Sequence, residues 1–497
     1  MGHAGALGEL ADLHGRGAGR SRHAGLQTGP PRAREGGRVA DGRPHPTIVP
    51  DPGARHLRGP HGVAVGTGRA RGAASASLGV ARRIGRMRIA FVSLHTSPIQ
   101  TPSTGDAGGL NVYLLELARS LGRQGHEVQL ITRATDPADP AVLPVAPGVE
   151  LRALRAGPVG PLAKEELPGI TDAFADALAA LPPADVVHAH YWLSAVAALP
   201  VARAWGVPHV LTLHSVSAGK NRRLVAGDTP EPASRLADEG RLVRASDLVV
   251  ASAESEKRLL VEAYDADPAA VHVVAPGVEE AFLREPSGRD GAGRVRIVLL
   301  GRIQPLKGQD VALRALALLD PATRPLLVIA GGVSPGRDAY AASLHALVRS
   351  LGLEDDVVFA GALDRAATAR VLAGAHLALM PSAAETYGLV ALEAAACGTP
   401  VVAARTEGLV DSVRDGVSGV FVPTRDPADW ARAIRDLLAD RPALARLSAS
   451  AREHAARRTW DVAAADVAEE YRALRTRSAA GGAGCASGAD PAAGARD

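Results

Sequence analysis

The chain has 497 residues, of which 46% are hydrophobic, so it can bury the cores of two or three domains. Aromatic residues make up only 3% and the formal net charge is +3, which disfavours a protein that stacks nucleic-acid bases. Two cysteines are too few for a metal cluster or a disulfide framework and favour a cytoplasmic location, and no apolar run reaches the roughly 20 residues that span a bilayer. We therefore expect no nucleic-acid and no membrane partner.

The two ends of the chain differ in composition from its middle. Residues 1–86 are rich in Gly, Arg, Pro and His and lack hydrophobic periodicity, so they cannot offset the entropy cost of ordering. We expect a disordered leader or a misassigned start, because Met87 opens the clean strand pattern MRIAFVSLH. Residues 477–497 are of low complexity, and we expect a disordered tail there.

Between these ends, short apolar runs alternate with helical patterns, which predicts parallel sheets covered on both faces. The predicted strands of a first unit are 88–95, 127–134, 149–156, 185–192, 209–215 and 247–253. The pattern then restarts, and the predicted strands of a second unit are 295–302, 325–332, 356–363, 377–382 and 400–405. We expect a first domain at 87–284, a second at 285–458 and a terminal helix at 459–476 that returns to the first domain.

The predicted fold class is therefore α/β, with two Rossmann-like parallel-sheet domains that face each other across a cleft. Ligands bind at the carboxyl ends of the strands in open sheets of this kind, so the cleft is the expected site.

The segment GRIQPLKG (301–308) places two cations in the loop that follows a buried strand. Arg302 and Lys307 would converge with the N-terminus of the next helix, which suits a diphosphate. Taken alone, the motif fits a solvated basic loop equally well.

The segment PSAAETYGLVALEAAACGTPVVA (381–403) places two acids eight residues apart. We interpret Glu385 as a loop residue that faces the cleft, and Glu393 as a residue inside the helix that begins near Gly388. A carboxylate can accept two hydrogen bonds from a vicinal diol, so Glu393 suits a ribose. An acid that stabilises the helix dipole would explain Glu385 but not the acid inside the apolar stretch.

The segment GDAGG (105–109) joins the first strand to a helix. Glycines let the backbone approach a phosphate closely, and a helix N-terminus supplies amide donors. A flexible capping loop is the alternative.

These motifs, in this order, resemble those of the retaining GT-B glycosyltransferases of family 4, and the likeness covers most of residues 87–475. The resemblance implies that Arg302 and Lys307 bind the diphosphate of a nucleotide-sugar donor. It implies that Glu385 contacts the donor sugar and that Glu393 binds the ribose. It also implies donor contacts from Gly109 and Leu363.

The GDAGG loop looks like that of the actinobacterial D-inositol-3-phosphate glycosyltransferases, which begin mycothiol synthesis. That group moves N-acetylglucosamine from UDP-GlcNAc to 1D-myo-inositol 3-phosphate. The acceptor residues that the likeness implies are His95, Asp106, Asn111, Lys164, Tyr191, Ser215 and Arg235. The likeness is looser where Ser215 replaces the usual Thr, and Arg235 could instead pair with Glu239 at i+4.

The resemblance implies that the configuration of the donor sugar is retained. Retaining hydrolases place two carboxylates around the bond that breaks, and no comparable pair is evident here. The hypothesis is therefore front-face transfer, in which the acceptor hydroxyl arrives on the side from which the diphosphate leaves. The expected catalytic residues are Arg302, Lys307, Glu385 and His190, the last placed near the transferred sugar by resemblance. No cofactor is expected to be required, and Mg²⁺ is left open because no Asp-x-Asp motif is evident for it.

Three alternatives stay open. They are a sucrose-phosphate synthase-like transferase with a sugar-phosphate acceptor, a UDP-sugar epimerase and a catalytically silent binding protein. A homodimer is also left open.

Overall fold

The structure, a computed structural model, describes residues 85–101, 107–224, 229–283 and 293–485, with side chains to residue 477. Of the expected leader only residues 85 and 86 are described, and residues 486–497 of the expected tail also lie outside the described part. The described chain forms two α/β units built on largely parallel sheets, which confirms the predicted fold class.

The first sheet combines all six predicted strands with two others. Its strands are β1 (Arg88–Ser93), β2 (Glu127–Arg133), β3 (Val142–Ala146), β4 (Val149–Leu154), β5 (Val186–His190), β6 (His209–Thr212), β7 (Leu248–Ala251) and β8 (Val271–Val273). They lie in the order β3-β4-β2-β1-β5-β6-β7-β8, and β3 runs antiparallel to β4. The sequence pattern misses β3 because this edge strand is mostly exposed and contains Pro144, and misses β8 because it has only three residues.

Helices cover both faces of this sheet and bury a core on each side. They are α1 (Gly109–Arg123), α2 (Thr171–Ala179), α3 (Trp192–Trp205), α4 (Ser217–Asn221), α5 (Ala233–Ala245) and α6 (Glu254–Tyr264). The central residues of strand β1 are all apolar because both faces of the strand are buried. Ile89 and Phe91 pack on the face that carries α1, whereas Ala90 and Val92 pack on the face that carries α3.

The second sheet is parallel throughout its described strands. They are β9 (Arg296–Leu300), β10 (Leu326–Ala330), β11 (Val357–Gly361), β12 (Leu377–Met380), β13 (Val401–Ala404) and β14 (Gly419–Val422). Their order is β11-β10-β9-β12-β13-β14, and the five predicted strands are all present. The helices around this sheet are α7 (Gln309–Ala317), α8 (Asp338–Leu351), α9 (Arg365–Gly374), α10 (Leu389–Ala396), α11 (Glu407–Ser412), α12 (Pro427–Ala439) and α13 (Arg441–Ala456).

The last helix, α14 (Trp460–Cys485), packs on the first sheet rather than the second. Trp460 and Tyr471 are buried in the same cluster as Tyr113 and Leu117 of α1. The helix continues past residue 476, where the sequence analysis ends it. Ser-Ala-Ala follows at 478–480, and alanine is the residue that favours a helix most strongly.

The two connections between the sheets run side by side. The amide of Val278 donates a hydrogen bond to the carbonyl of Arg458 at 2.8 Å, and Val278 forms a parallel bridge with Thr459. Gly277 fits here because it has no side chain: a Cβ at this position would lie 2.2 Å from the amide nitrogen of Trp460. At this crossing point, the backbone of residues 277–278 is therefore in direct contact with the backbone of residues 458–460.

Replacing Gly277 by alanine is expected to destabilise the protein by about 1–3 kcal/mol, because the backbone of residues 459–460 must move away from the new methyl group. Chemical denaturation followed by circular dichroism measures the change. Gly169→Ala is the matched control, since a Cβ at Gly169 meets nothing within 4 Å. Equal stability of the two variants would contradict the packing described for the crossing.

Several histidines are buried in the first domain in their neutral form. His209 opens β6 with 1% of its surface exposed, and its Nδ1 lies 3.1 Å from the hydroxyl of Ser246. Burial, reinforced by the charge of Arg203, lowers the pKa of His209 to about 3. Below about pH 6.5, His209 binds a proton in the unfolded chain but stays neutral in the folded chain. The free energy of unfolding therefore falls as the pH drops from 6.5 towards 3.

The free energy of unfolding is expected to fall between pH 7.5 and pH 5.5, with His209 alone contributing about 1.4 kcal/mol to the decrease. His209→Asn should therefore show a shallower pH dependence than the wild type, whatever its stability at pH 7.5. Urea titrations at the two pH values test this. Parallel pH profiles for both proteins would show that His209 is not held neutral in the fold.

Candidate active site

A cavity of about 900 Å³ lies where the carboxyl ends of the two sheets face each other. It is lined from both sheets by residues at or just after strand ends. These residues are His95, Tyr191, His214 and Ser252 from the first sheet, and Gly301, Gly331, Leu363 and Met380 from the second. Ten predicted site residues line the cavity: His95, Gly109, Lys164, Tyr191, Ser215, Arg302, Lys307, Leu363, Glu385 and Glu393.

The cationic loop after β9 lies on the second-domain wall, as the sequence predicts. The loop is braced by Gln309, whose side-chain amide donates to the carbonyl of Arg302 at 3.0 Å. Lys307 forms an ion pair with Glu385. Among the described residues, no carboxylate lies within ion-pair distance of the Arg302 guanidinium. Arg302 is therefore a half-buried cation open to an anionic ligand.

The loop after β12 carries Glu385 into the cavity and then turns sharply into α10. Gly388 makes the turn with φ of 87°, and a Cβ there would lie 2.6 Å from a methyl group of Leu409. The amide of Gly408 donates to the carbonyl of Glu385 at 3.2 Å. Glu385 is thus held from its backbone as well as by Lys307 and by the hydroxyl of Ser382 at 3.2 Å.

Glu393 lies inside α10 as predicted, but its carboxylate is already partnered. Arg365 donates to Glu393 at 2.7 Å and to Glu279 at 2.7 Å, and its guanidinium lies 4.6 Å from the ring centre of Phe282. Burial opposes the charge, but the two carboxylates prevail and raise the pKa of Arg365. Arg365 was not predicted from the sequence, although it follows directly on Leu363 and Asp364 at the end of a predicted strand.

The opposite wall is the N-terminus of α1. Gly108 and Gly109 line the cavity there, and a Cβ on Gly109 would lie 3.5 Å from a methyl group of Leu389. Asn111 does not line the cavity, contrary to its predicted contact with the acceptor. Its side chain is 1% exposed and bonds the amide of Gly108 at 2.8 Å and the carbonyl of Ser97 at 2.8 Å, so it shapes the loop. Asp106 lies outside the described residues.

The first-domain end of the cavity surrounds the ring of Tyr191. Lys164 Nζ lies 5.4 Å from the ring centre, and the Arg235 guanidinium lies 4.9 Å from it. Tyr191 has φ of 77° and ψ of 150°, a conformation that costs a non-glycine residue about 1–3 kcal/mol. Backbone strain of this kind concentrates at ligand sites and switch regions.

Arg235 stands behind this wall rather than in it. It is 2% exposed and pairs with Glu239 at 2.7 Å, the i+4 alternative that the sequence left open. It also donates to the hydroxyl of Ser215 at 3.1 Å and pairs with Glu231 at 2.8 Å. In this arrangement Arg235 positions Ser215 and does not itself line the cavity, which departs from its predicted direct contact.

His190, predicted beside the transferred sugar, is fully buried and does not line the cavity. Its Nδ1 lies 2.9 Å from Nε2 of His214, and His214 is the one that reaches the cavity. Burial lowers the pKa of His214 to about 3, and burial with Lys164, His214 and Arg235 lowers that of His95 to about 3. Both rings are therefore neutral at physiological pH.

Within the described residues, no group of three or more His, Cys, Asp or Glu side chains could hold a metal ion. One Asp-x-Asp pair does exist, contrary to the sequence analysis: Asp265 and Asp267 lie exposed at the C-terminal end of α6, outside the cavity. No helix in the described part of the chain is both long enough and apolar enough to cross a bilayer.

Two family models match the chain, one for each domain. Residues 108–277 match the model described as "Glycosyl transferase 4-like domain", and residues 283–454 match the one described as "Glycosyl transferases group 1". The chain is 43% identical over 420 residues to D-inositol 3-phosphate glycosyltransferase 2 of Catenulispora acidiphila, covering 80% of this chain and 98% of that protein. It is 44% identical over 412 residues to D-inositol 3-phosphate glycosyltransferase of Streptomyces bingchenggensis, covering 78% of this chain and 90% of that protein.

Solved structures share the fold. Sucrose-phosphate synthase from Thermosynechococcus elongatus superimposes with a TM-score of 0.73 at 28% identity, over 79% of this chain and 100% of that one. Anabaena Alr3699/HepE in complex with UDP and glucose superimposes with a TM-score of 0.62 at 21% identity, over 77% of this chain and 99% of that one.

Replacing Arg365 by methionine is expected to lower stability by roughly 1–3 kcal/mol, because it leaves the carboxylates of Glu393 and Glu279 without their shared partner in a largely buried place. Denaturation of the unliganded protein at pH 7.5 measures the loss. Glu279→Gln is the control, since Arg365 keeps Glu393 there. If Glu279→Gln cost as much as Arg365→Met, the pairing with Glu393 would contribute little to the fold.

Proposed function

Because this chain belongs to the GT-B glycosyltransferases, as its two family matches and its relatives show, we propose that it moves N-acetylglucosamine from UDP-GlcNAc to 1D-myo-inositol 3-phosphate. The anomeric configuration of the sugar is retained in this proposal. The observation that carries it is a single cavity whose second-domain wall offers Arg302 and Lys307 and whose first-domain wall offers Lys164 and Ser215. Each wall can receive one phosphorylated substrate.

The donor lies along the second domain. Arg302 and Lys307 bind the diphosphate, and the amide of Gly109 at the start of α1 faces it from the other wall. Glu393, aimed by Arg365, accepts hydrogen bonds from the ribose diol. Leu363 lines the cavity at the end of β11 and contacts the base.

The acceptor lies against the first domain. Its phosphate is a monoester, which suits the Lys164 ammonium together with the hydroxyl groups of Tyr191 and Ser215. The ring of Tyr191 lies close to both the Lys164 ammonium and the Arg235 guanidinium, so the positive charge at this end of the cavity is concentrated around it. Arg235 adds positive charge from behind Ser215 without leaving its own carboxylates.

The chemistry follows from these positions. When the bond between the anomeric carbon and the diphosphate breaks, negative charge develops on the leaving oxygen, and Arg302 and Lys307 stabilise it. The acceptor hydroxyl arrives on the same face, and its proton passes to a leaving phosphate oxygen. His95 and His214 are neutral and serve as hydrogen-bonding groups beside the sugar. Glu385 leaves Lys307 to contact the sugar when the diphosphate takes its place.

A second candidate is a transferase whose acceptor is a different sugar phosphate. It is favoured by the superposition with a sucrose-phosphate synthase at 28% identity over the whole of that chain. Its site would need the same cationic pair for the donor and a similar phosphate pocket for the acceptor.

One assay separates the candidates. The purified protein is incubated with UDP-GlcNAc and inositol 3-phosphate, with UDP-glucose and fructose 6-phosphate, or with UDP-GlcNAc alone. Transfer products are identified by mass spectrometry, and isomers of the UDP-sugar, which have equal mass, are identified by proton NMR. We expect a glycosylated inositol phosphate and UDP from the first mixture. Product from the second mixture alone would establish the sugar-phosphate alternative, and isomerised UDP-sugar in the third would establish an epimerase.

Lys307→Ala is expected to lower kcat about 100-fold, because the leaving diphosphate loses a cation that stabilises it in the transition state. Steady-state rates of UDP release measure the effect. Lys257→Ala, on α6 and outside the cavity, is the control and should keep the wild-type rate. A near-normal kcat for Lys307→Ala would refute this account of leaving-group stabilisation.

A further inference from the structure

We propose that Thr386 is a positioning residue. Its hydroxyl ties the loop after β12, which carries Glu385 and is called here the donor-sugar loop, to the loop after β6, which carries Ser215 and is called the acceptor loop. The hydroxyl of Thr386 donates a hydrogen bond to the backbone carbonyl of His214 at 2.9 Å. Thr386 directly follows Glu385 in the chain, and His214 directly precedes Ser215. These four residues all line the cavity. This inference rests on the proposed function.

The carbonyl group of His214, which accepts this bond, is held in place by other contacts of His214. His214 has φ of 58°, in the left-handed region that non-glycine residues rarely adopt. Its ring nitrogen Nε2 lies 2.9 Å from Nδ1 of the buried His190. The carbonyl that Thr386 meets therefore has a set direction, and a shift of it would carry Ser215 along.

The partner on the second domain is fixed as well. Gly408 packs so closely under the loop that a Cβ there would lie 2.4 Å from the carbonyl carbon of Thr386. The Gly408 amide also bonds the carbonyl of Glu385 at 3.2 Å. Two constrained loops are thus joined by one hydroxyl group, so the bond sets the separation of Glu385 and Ser215.

Other polar contacts between the domains reach α11, the helix whose Gly408 packs under the Thr386 loop, and do not bond to that loop directly. Arg223 pairs with Glu407 at 2.6 Å, and Ser255 donates to Asp411 at 2.5 Å. Both contacts end on α11. The Arg223–Glu407 pair is also 31% and 40% exposed at its side chains, where an ion pair contributes little. Of these contacts in the described part of the chain, the Thr386 bond is the one that joins the loop of Glu385 directly to the loop of Ser215.

Front-face transfer depends on the distance between donor sugar and acceptor, because the acceptor hydroxyl must reach the anomeric carbon as the diphosphate departs. A reacting pair that is misplaced by a fraction of an ångström loses rate without losing binding. Loss of the Thr386 bond should therefore lower kcat and leave the KM for the donor nearly unchanged. It should also raise the share of donor that reacts with water instead of acceptor.

The test compares Thr386→Val, which keeps the shape and removes the donor, with Thr386→Ser, which keeps the hydroxyl. We expect kcat to fall about 3- to 10-fold in the valine variant, in line with the loss of one hydrogen bond. The serine variant should recover most of that loss, and the unfolding temperatures of both should lie within about 4 °C of the wild type, as expected for one hydrogen bond. Wild-type kcat in the valine variant, or an equal loss in both variants, would overturn the proposal.

A second measurement does not depend on the acceptor. Hydrogen–deuterium exchange is followed for the wild type and both variants, with and without UDP, in the peptides that span 213–217 and 384–388. We expect UDP to slow exchange in both segments of the wild type and the serine variant, and less so in the valine variant. Equal protection in the valine variant would contradict the bond. Failure of the wild type to glycosylate inositol 3-phosphate would refute the proposed function alone, since the exchange comparison still decides on Thr386.

Discussion

The structure depends on the point where the chain passes twice between its two sheets. Val278 leaves the first domain and Thr459 returns to it, and the two segments pair through backbone atoms with no side chain between them at Gly277. This crossing holds the sheets so that their carboxyl edges face each other. Parallel sheets carry their ligand-binding loops at that edge, so the cavity and the positions of its polar groups follow from this one constraint.

Two of the cations at the site, Lys307 and Arg365, are paired with carboxylates of the protein itself. Lys307 meets Glu385, and Arg365 meets Glu393 and Glu279. The Arg365 pair holds Glu393 near the position where the proposed donor needs it, which reduces the reorganisation that binding requires. The two pairs differ in what a ligand does to them. A diphosphate competes with Glu385 for Lys307, whereas a ribose can bind Glu393 while Arg365 stays in place.

The sequence predicts most of the fold because buried parallel strands are apolar on both faces. LLVIA of β10 and LVVA of β7 are buried along their whole length, and such runs stand out from the helices between them. The edge strand β3 escapes prediction because its exposed residues and Pro144 carry no such pattern. The segments around Arg302, Lys307 and Glu385, which line the cavity, are visible in the sequence because Gly, Lys, Arg and Glu stand together in short stretches.

The parts of the site that the sequence did not predict depend on contacts between distant residues. Arg365 and Glu279 are 86 positions apart, and neither belongs to a recognisable motif. His190 and Asn111 have the right residue type and the right strand or helix end, but they lie behind His214 and the Gly108 loop. Which residue of a loop faces the cavity is decided by packing beneath it, and a linear pattern does not report that.

The return of α14 to the first sheet has a consequence for synthesis on the ribosome. The core that contains Met87, Phe91 and Tyr113 is completed by Trp460 and Tyr471, more than 300 positions later. The second domain, by contrast, is one continuous segment and can close its core as soon as it emerges. During synthesis, the face of the first sheet that packs against α1 and α14 therefore stays partly exposed. It is completed only when α14 has been translated, near the end of the chain. Nascent chains that terminate before that helix should be the ones that chaperones retain.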